Sequence, residues 1–149
     1  MTLKETIQAD FVTGMKAKDT AIKSALSGLK AKITEAEKAN GTELNDDGVI
    51  KVVAAAIKQR RQSVEEFMNG GRADLVEKER SEINVLERYM PVQMSEKEIT
   101  QEVNIILLTL QANPNRQARM GQCIGAFNKK FIGKADIATV KRIIDEIVQ

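Results

Sequence analysis

The chain has 149 residues and a formal net charge of +2, with 42% hydrophobic and 30% charged residues, as is typical of a globular protein. It contains no histidine, which excludes a histidine general base and every histidine-ligated metal site. The single cysteine excludes a disulfide framework and multi-cysteine zinc sites. We therefore expect no metal and no cofactor, and we expect a reducing compartment, the cytoplasm.

The sequence shows no sign of membrane association. The N-terminal segment MTLKETIQAD carries acidic residues and lacks the apolar core of a signal peptide. The longest apolar run, from Ile105 to Leu108, is far shorter than the roughly 20 residues that a membrane span requires. We expect the protein to have no membrane partner.

Apolar residues that recur at intervals of three and four predict helices over nearly the whole chain. A first helix is expected at about 3–17, where Thr2 and Glu5 have capping-box spacing, and a second at about 19–39. The predicted apolar stripe of the first helix is Leu3, Ile7, Phe11 and Met15. A third helix is expected between the cap Asn45 and the stop signal Asn69-Gly70-Gly71.

A fourth helix is expected from near Asp74, which has capping-box spacing to Glu77, to Met90, with Leu75, Ile83 and Leu86 buried. Pro91 ends it, because a proline disfavours helical backbone in the residue before it.

Three shorter helices are expected in the rest of the chain. Ser95 and Glu98 form a second capping-box pattern before a helix at about 96–112, and Asn113-Pro114 ends it. The other two are predicted at about 117–131 and from the cap Asp136 to Ile147. The sequence therefore predicts an all-α protein with two subdomains, residues 1–92 with four longer helices and residues 93–149 with a three-helix bundle.

The run Lys58-Gln59-Arg60-Arg61 in the third helix is a candidate phosphate-binding face, because guanidinium groups bind phosphate in a bidentate manner. An alternative is a solvated face on which Arg60 or Arg61 pairs with Glu65 or Glu66 at helical spacing. Both interpretations are compatible with the sequence.

Basic residues are concentrated in the C-terminal third. Between Pro114 and Arg142 the sequence has seven basic residues and one acidic residue, Asp136, which indicates a polyanionic partner. Within this region, Gly133-Lys134-Ala135-Asp136 lies between two predicted helices. Such a turn can present N–H groups to an anion or can simply connect two helices; the phosphate-loop pattern GxxxxGK[ST] is absent.

No catalytic constellation is apparent. The acidic residues from Asp74 to Glu87 alternate with Lys78, Arg80 and Arg88, a pattern typical of ion pairs on an exposed helix. Cys123 adjoins an apolar stripe and has no histidine to activate it, so it is expected to be a small buried residue.

Residues 58–99, KQRRQSVEEFMNGGRADLVEKERSEINVLERYMPVQMSEKEI, resemble the YqeY family, also called GatB/YqeY-domain proteins. The matching motifs are K-Q-R-R, E-E-F, G-R-x-D-L, E-K-E, E-I-x-V-L-E, Y-M-P and S-E-x-E-I. Lys18-Asp19, Met120-Gly121 and Gly133-Lys134-Ala135-Asp136 extend the resemblance over nearly the whole chain.

The resemblance implies a helical fold similar to the C-terminal tail of GatB, a subunit of the glutamine-dependent tRNA amidotransferase. That tail helps to hold the tRNA and has a similar glycine- and lysine-containing pattern, which Gly125, Lys129, Gly133, Lys134 and Ala135 match here. Amide formation and ammonia release occur in other parts of that enzyme. The resemblance therefore implies a family link to carbon–nitrogen ligase activity with glutamine as the nitrogen donor. It does not imply that this chain contains the catalytic parts of that enzyme.

The sequence departs from the family pattern at several positions. Ile22 and Ser27 replace usual arginines, which weakens any basic surface on the second helix. Arg119 stands where an aspartate is common and Lys129 where a proline is common, so the basic character moves toward the C-terminal part.

The sequence thus predicts a non-catalytic helical module that binds tRNA through its backbone and shape. The predicted phosphate contacts are Arg60, Arg61, Arg119, Lys129, Lys130 and Lys134. The alternative is a protein–protein adaptor that docks on an amidotransferase or an aminoacyl-tRNA synthetase. A third hypothesis, glutamine-dependent amidation by the chain itself, would require catalytic residues that the sequence does not show.

Overall fold

The computed structural model describes residues 1–148, which contain seven α-helices and no strand. The helices are α1 (Leu3–Lys16), α2 (Thr20–Asn40), α3 (Asp46–Asn69), α4 (Ala73–Glu87), α5 (Glu96–Thr109), α6 (Arg116–Lys130) and α7 (Ile137–Val148). The all-α prediction is confirmed. No helix within the described residues is both long enough and apolar enough to cross a bilayer.

The chain divides into two compact units. The first is Met1–Met90 and contains α1 to α4; the second begins at Pro91 and contains α5 to α7. The sequence pattern places the border two residues later, between Val92 and Gln93.

Side-chain caps set the starts of several helices. Thr2 and Glu5 form a reciprocal capping box at α1, and Ser95 and Glu98 form one at α5. Asn45 caps α3 by accepting a 2.9 Å hydrogen bond from the Gly48 amide. These caps confirm the predicted starts, because each cap residue satisfies an amide that the first helical turn would leave unpaired.

Helix α4 begins within one residue of its predicted start, but its cap and its C-terminal end differ from the prediction. It begins at Ala73 after Arg72, which makes no side-chain capping bond, and Asp74 lies within the first turn instead of capping it. The Asp74 carboxylate pairs with the Arg72 guanidinium at 3.3 Å, which lowers the pKa of Asp74. At the other end, bonds such as Tyr89 N to Leu86 O (3.1 Å) tighten the chain into a turn that extends to Met90.

The first unit encloses one hydrophobic core, to which all four of its helices contribute. Fully buried members include Ile7, Leu26, Val53 and Leu86. Tyr89 lies at the edge of this core, and its hydroxyl donates a 2.6 Å hydrogen bond to Asp10 Oδ2 in α1. This bond ties the segment after α4 to the first helix.

The packing of α1 against α2 corrects the predicted apolar stripe. Met15 is 49% exposed, whereas Gly14 is buried. A Cβ atom at position 14 would lie 2.3 Å from Ile22 Cγ2, so only glycine fits here. In α4, likewise, Leu75 is half-buried and the adjacent Val76 is in the core.

The second unit is a three-helix bundle in which each helix packs on the other two. Its core contains Val103, Cys123, Phe127 and Ile144, all nearly inaccessible to solvent. The Phe127 and Phe131 rings pack with centroids 4.9 Å apart. Burial raises the pKa of the Cys123 thiol, which fits the predicted role of a small buried residue.

Candidate nucleic-acid interface

Arg60 lies between helices in the first unit. Its Nη1 donates to Glu82 Oε2 at 2.6 Å and to Glu79 Oε2 at 3.3 Å. The Glu82 side chain is 3% exposed and that of Arg60 22%, so this is a largely buried ion cluster that joins α3 to α4. An arginine that balances a buried carboxylate is poorly placed to bind a phosphate in solution.

The guanidinium of Arg60 also lies close to α2. A Cβ atom at Gly28 would lie 3.5 Å from Arg60 Nη2, and Nε of Arg60 is buried without a hydrogen-bond partner among the described residues. Arg60 of the K-Q-R-R motif and Glu79 of the E-K-E motif therefore pair across α3 and α4 within the first unit.

Arg61 points to the surface. Its side chain is 61% exposed and its Nη2 donates to Glu87 Oε1 at 2.9 Å. The partner is again in α4, so the two arginines pair with α4 and not with Glu65 or Glu66, as the local spacing suggested.

Three of the seven basic residues between Pro114 and Arg142 have carboxylate partners. Arg116 Nη2 is 2.6 Å from Asp145 Oδ1, and Arg142 pairs with both Glu96 and Glu146. Lys130 Nζ lies 3.6 Å from Glu102 Oε2 and 5.3 Å from the centre of the Phe131 ring. These pairings neutralise much of the local charge excess.

The other four basic residues form no ion pair with the described part of the chain; they are Arg119, Lys129, Lys134 and Lys141. The three lysines are exposed. Arg119 is half-buried, and its Nε has no hydrogen-bond partner within residues 1–148. Of the predicted contacts in this unit, Lys129 and Lys134 are thus the most available to an external anion.

Two glycines leave part of α6 without side chains. Gly121 and Gly125 are exposed, and a Cβ atom at either position would meet nothing within 4 Å. Lys129 is one helical turn further along, because residues four apart share a helix face. Lys141 of α7 and Gly121 both line the groove between α6 and α7. We call Gly121, Gly125, Lys129 and Lys141 the α6 surface.

Lys134 lies in the turn that follows α6. Gly133 has a φ of 70°, a left-handed conformation that favours glycine and reverses the chain after Phe131. The Lys134 amide donates to Phe131 O at 3.0 Å, and its carbonyl accepts from the Met94 amide at 2.8 Å. We call residues 131–135 the Lys134 turn.

Sequence reasoning did not single out Lys141 or the tertiary partners of Arg60. Lys141 belonged to the basic run but had no motif to distinguish it from its paired neighbour Arg142. Glu79 and Glu82 share one face of α4 at a spacing of three, which was the available signal for a common partner.

A known protein family matches nearly the whole chain. The model of the family described as Yqey-like protein matches residues 4–148. The chain belongs to the Yqey-like protein family. The resemblance found in residues 58–99 is therefore confirmed, and it extends over both compact units of this Yqey-like protein.

Fungal proteins named "Altered inheritance of mitochondria protein 41, mitochondrial" are similar to this Yqey-like protein. One from Lachancea thermotolerans is 37% identical over 121 residues, which cover 76% of this chain and 63% of the relative. One from Pyrenophora tritici-repentis is 31% identical, with 95% and 78% covered, and one from Saccharomyces cerevisiae is 34% identical, with 85% and 70% covered. The chain thus spans less than two thirds of the Lachancea relative.

These relatives correct the prediction of a cytoplasmic protein, because they are named as mitochondrial proteins. The prediction relied on the single cysteine and the lack of a signal-peptide pattern. A low cysteine count argues against a disulfide framework, but it does not separate one reducing compartment from another.

Proposed function

We propose that this Yqey-like protein is a non-catalytic helical module that binds tRNA through the α6 surface and the Lys134 turn. The observation that carries the proposal is the exposure of Lys129, Lys134 and Lys141 without carboxylate partners among the described residues. Unpaired lysines are suited to phosphate contacts, because binding need not break an existing ion pair. The resemblance to the GatB tail favours tRNA among the polyanions.

The glycine positions support contact with the nucleic-acid backbone. A helix that lacks side chains at Gly121 and Gly125 allows a ribose–phosphate chain to approach its backbone closely, while lysines at the margin meet the phosphates. Base stacking has little support, because aromatic residues make up 3% of the chain and Phe127 is buried. Recognition by backbone and shape is the usual mode for double-stranded RNA.

The other predicted phosphate contacts differ in how available they are to a phosphate. Lys130 can join the interface if it exchanges Glu102 for a phosphate, and Arg119 is adjacent in the same helix but half-buried. Arg61 remains exposed on the other unit. Arg60 is not part of the proposed interface, because its guanidinium balances the buried Glu82.

The proposal is tested by titrating the full chain against total tRNA at several salt concentrations, with duplex DNA of equal length as the control. If the three free lysines each engage one phosphate, the slope of log K against log salt is expected to be roughly −2 to −3. The Lys129→Gln/Lys134→Gln/Lys141→Gln variant should lose most of this slope. Lys97→Gln, at an exposed lysine of α5, is the matched control and should keep it.

A second variant tests the same interface by freeing a positive charge instead of removing one. Glu102→Gln removes the partner of Lys130, so the freed lysine should strengthen tRNA binding and steepen the slope by about 0.7 to 0.9. Equal weak binding of wild type to tRNA and to DNA, unchanged in the triple variant, would show that the lysines are only a solvated surface.

The adaptor hypothesis has one observation in its favour. Ile105 and Leu108 on α5 are 53% and 65% exposed, and the stretch from Val103 to Asn115 has no charged residue. Exposed apolar side chains of this kind are used in protein contacts. If this protein docks on the amidotransferase, Leu108→Glu should abolish co-sedimentation with the purified enzyme, and salt should have little effect on the wild-type complex. No co-sedimentation of wild type would reject this alternative.

A further inference from the structure

The Lys134 turn is bonded to the segment that precedes α5. Gln93 Nε2 donates to Gly133 O at 2.7 Å and to Pro91 O at 2.9 Å. The next residue, Met94, donates its amide to Lys134 O at 2.8 Å. Two successive carbonyls of the turn are thus satisfied by two successive residues of the segment 91–94.

These bonds fix the backbone of Lys134 on both sides. Its amide donates to Phe131 O at 3.0 Å, its own carbonyl accepts from Met94, and the carbonyl before it accepts from Gln93. Phe131 and Ala135 at the ends of the turn pack against the core, but Lys134 is exposed and follows a glycine at positive φ, so hydrogen bonds and not side-chain burial restrain its backbone. The lysine side chain therefore extends from a backbone held at a defined position.

We propose that Gln93 is a positioning residue for Lys134, and that polyanion binding at Lys134 and ordering of residues 91–94 favour each other. This inference rests on the proposed function. The physical reason is that a contact made from an ordered backbone has less conformational entropy to lose on binding. By linkage, a polyanion held at Lys134 stabilises the same hydrogen bonds in return.

The first measurement needs no nucleic acid. Amide hydrogen exchange of the full chain should show Met94 and Lys134 protected in the wild type, and Gln93→Ala should accelerate exchange at both. Gln93→Glu should do so more strongly, because a carboxylate cannot donate and would face two carbonyl oxygens. Gln101→Ala, at an exposed glutamine of α5, is the matched control and should leave both amides unchanged.

The second measurement uses total tRNA as the probe. Gln93→Ala should weaken binding and lower the salt slope by up to about 0.7 to 0.9, the share of a single phosphate contact. In a Lys134→Gln background the same substitution should have no further effect. A bound tRNA should slow exchange at Met94 in the wild type.

The outcomes separate this inference from the proposed function. Steep tRNA binding that depends on Lys134 and is unaffected by Gln93→Ala would overturn the positioning role alone. A loss that persists in the Lys134→Gln background would also overturn it, since Gln93 would then contact the RNA directly. Failure of the wild type to bind tRNA would overturn both proposals.

Discussion

Arg60 and Arg61 are adjacent in α3, yet their guanidinium groups meet different environments. Arg60 closes a cluster with Glu79 and the buried Glu82, whereas Arg61 and Glu87 form an exposed pair. Energetically the two cases differ, because removing one partner of a buried pair leaves an uncompensated charge, and an exposed pair is screened by water.

Replacement of Arg60 by alanine is therefore expected to destabilise the protein by about 3 kcal/mol, since Glu82 would remain buried without its cation. Arg61→Ala is the matched control and should cost less than about 1 kcal/mol. Urea unfolding of both variants measures the difference. Equal, small losses would contradict a stabilising role for the Arg60 cluster.

For individual residues, the sequence indicates which side chains form ion pairs better than it indicates their partners. The sequence predicts that the K-Q-R-R run either binds phosphate or forms ion pairs, but the partners that it suggests, Glu65 and Glu66, lie in the same helix. The observed partners are in α4, 19 and 22 residues away from Arg60 along the chain. Helical spacing describes contacts within one helix, and which helix packs alongside is decided by the fold.

Among the helices, the contact of α1 with α2 depends on a single small residue. Gly14 leaves room for Ile22, whose Cγ2 would be 2.3 Å from any Cβ atom at position 14. Gly121 in α6 has the same helical backbone but open space around it, so the two glycines form a matched pair.

Gly14→Ala is expected to destabilise the protein by about 1–3 kcal/mol, because the added methyl group overpacks the α1–α2 contact. Gly121→Ala should instead stabilise it by about 0.5–1 kcal/mol, since alanine is a better helix former. Thermal unfolding distinguishes the expected loss of stability from the expected gain. Partial rescue of Gly14→Ala by Ile22→Ala would identify the clash, and stabilisation by Gly14→Ala would refute it.

Helix boundaries were predictable wherever a side chain marked them. Thr2, Asn45 and Ser95 mark helix starts, and each accepts a bond from an amide in the first turn. At α4 the start lies within one residue of the prediction, but Asp74, which has the spacing of a cap, pairs with Arg72 instead. Periodicity predicts that Met15 is in the core, because it cannot show that α2 approaches α1 at a glycine.

For the whole molecule, each hydrophobic core is made of residues from its own unit. The core around Leu26 and Val53 lies wholly within residues 1–90, and the core around Val103 and Phe127 lies wholly in the second unit. The basic residues were predictable as a composition bias, whereas the ion pairs that neutralise three of them are properties of the folded bundle.

Because its core is complete, a fragment of residues 1–90 is expected to fold alone. It should have a helical circular-dichroism spectrum and unfold cooperatively in urea. The Tyr89 side chain should stay shielded from solvent, since its hydrogen-bond partner Asp10 is also present. A non-cooperative transition would show that the first unit needs the rest of the chain.

Cys123, the sole cysteine, is fully enclosed in the core of the three-helix bundle. A thiol-reactive dye can therefore modify the native protein only during moments when that bundle opens. The labelling rate, followed against denaturant, would report the opening free energy of the C-terminal unit without any engineered probe. The same measurement with tRNA present would reveal whether a ligand at the α6 surface slows this opening.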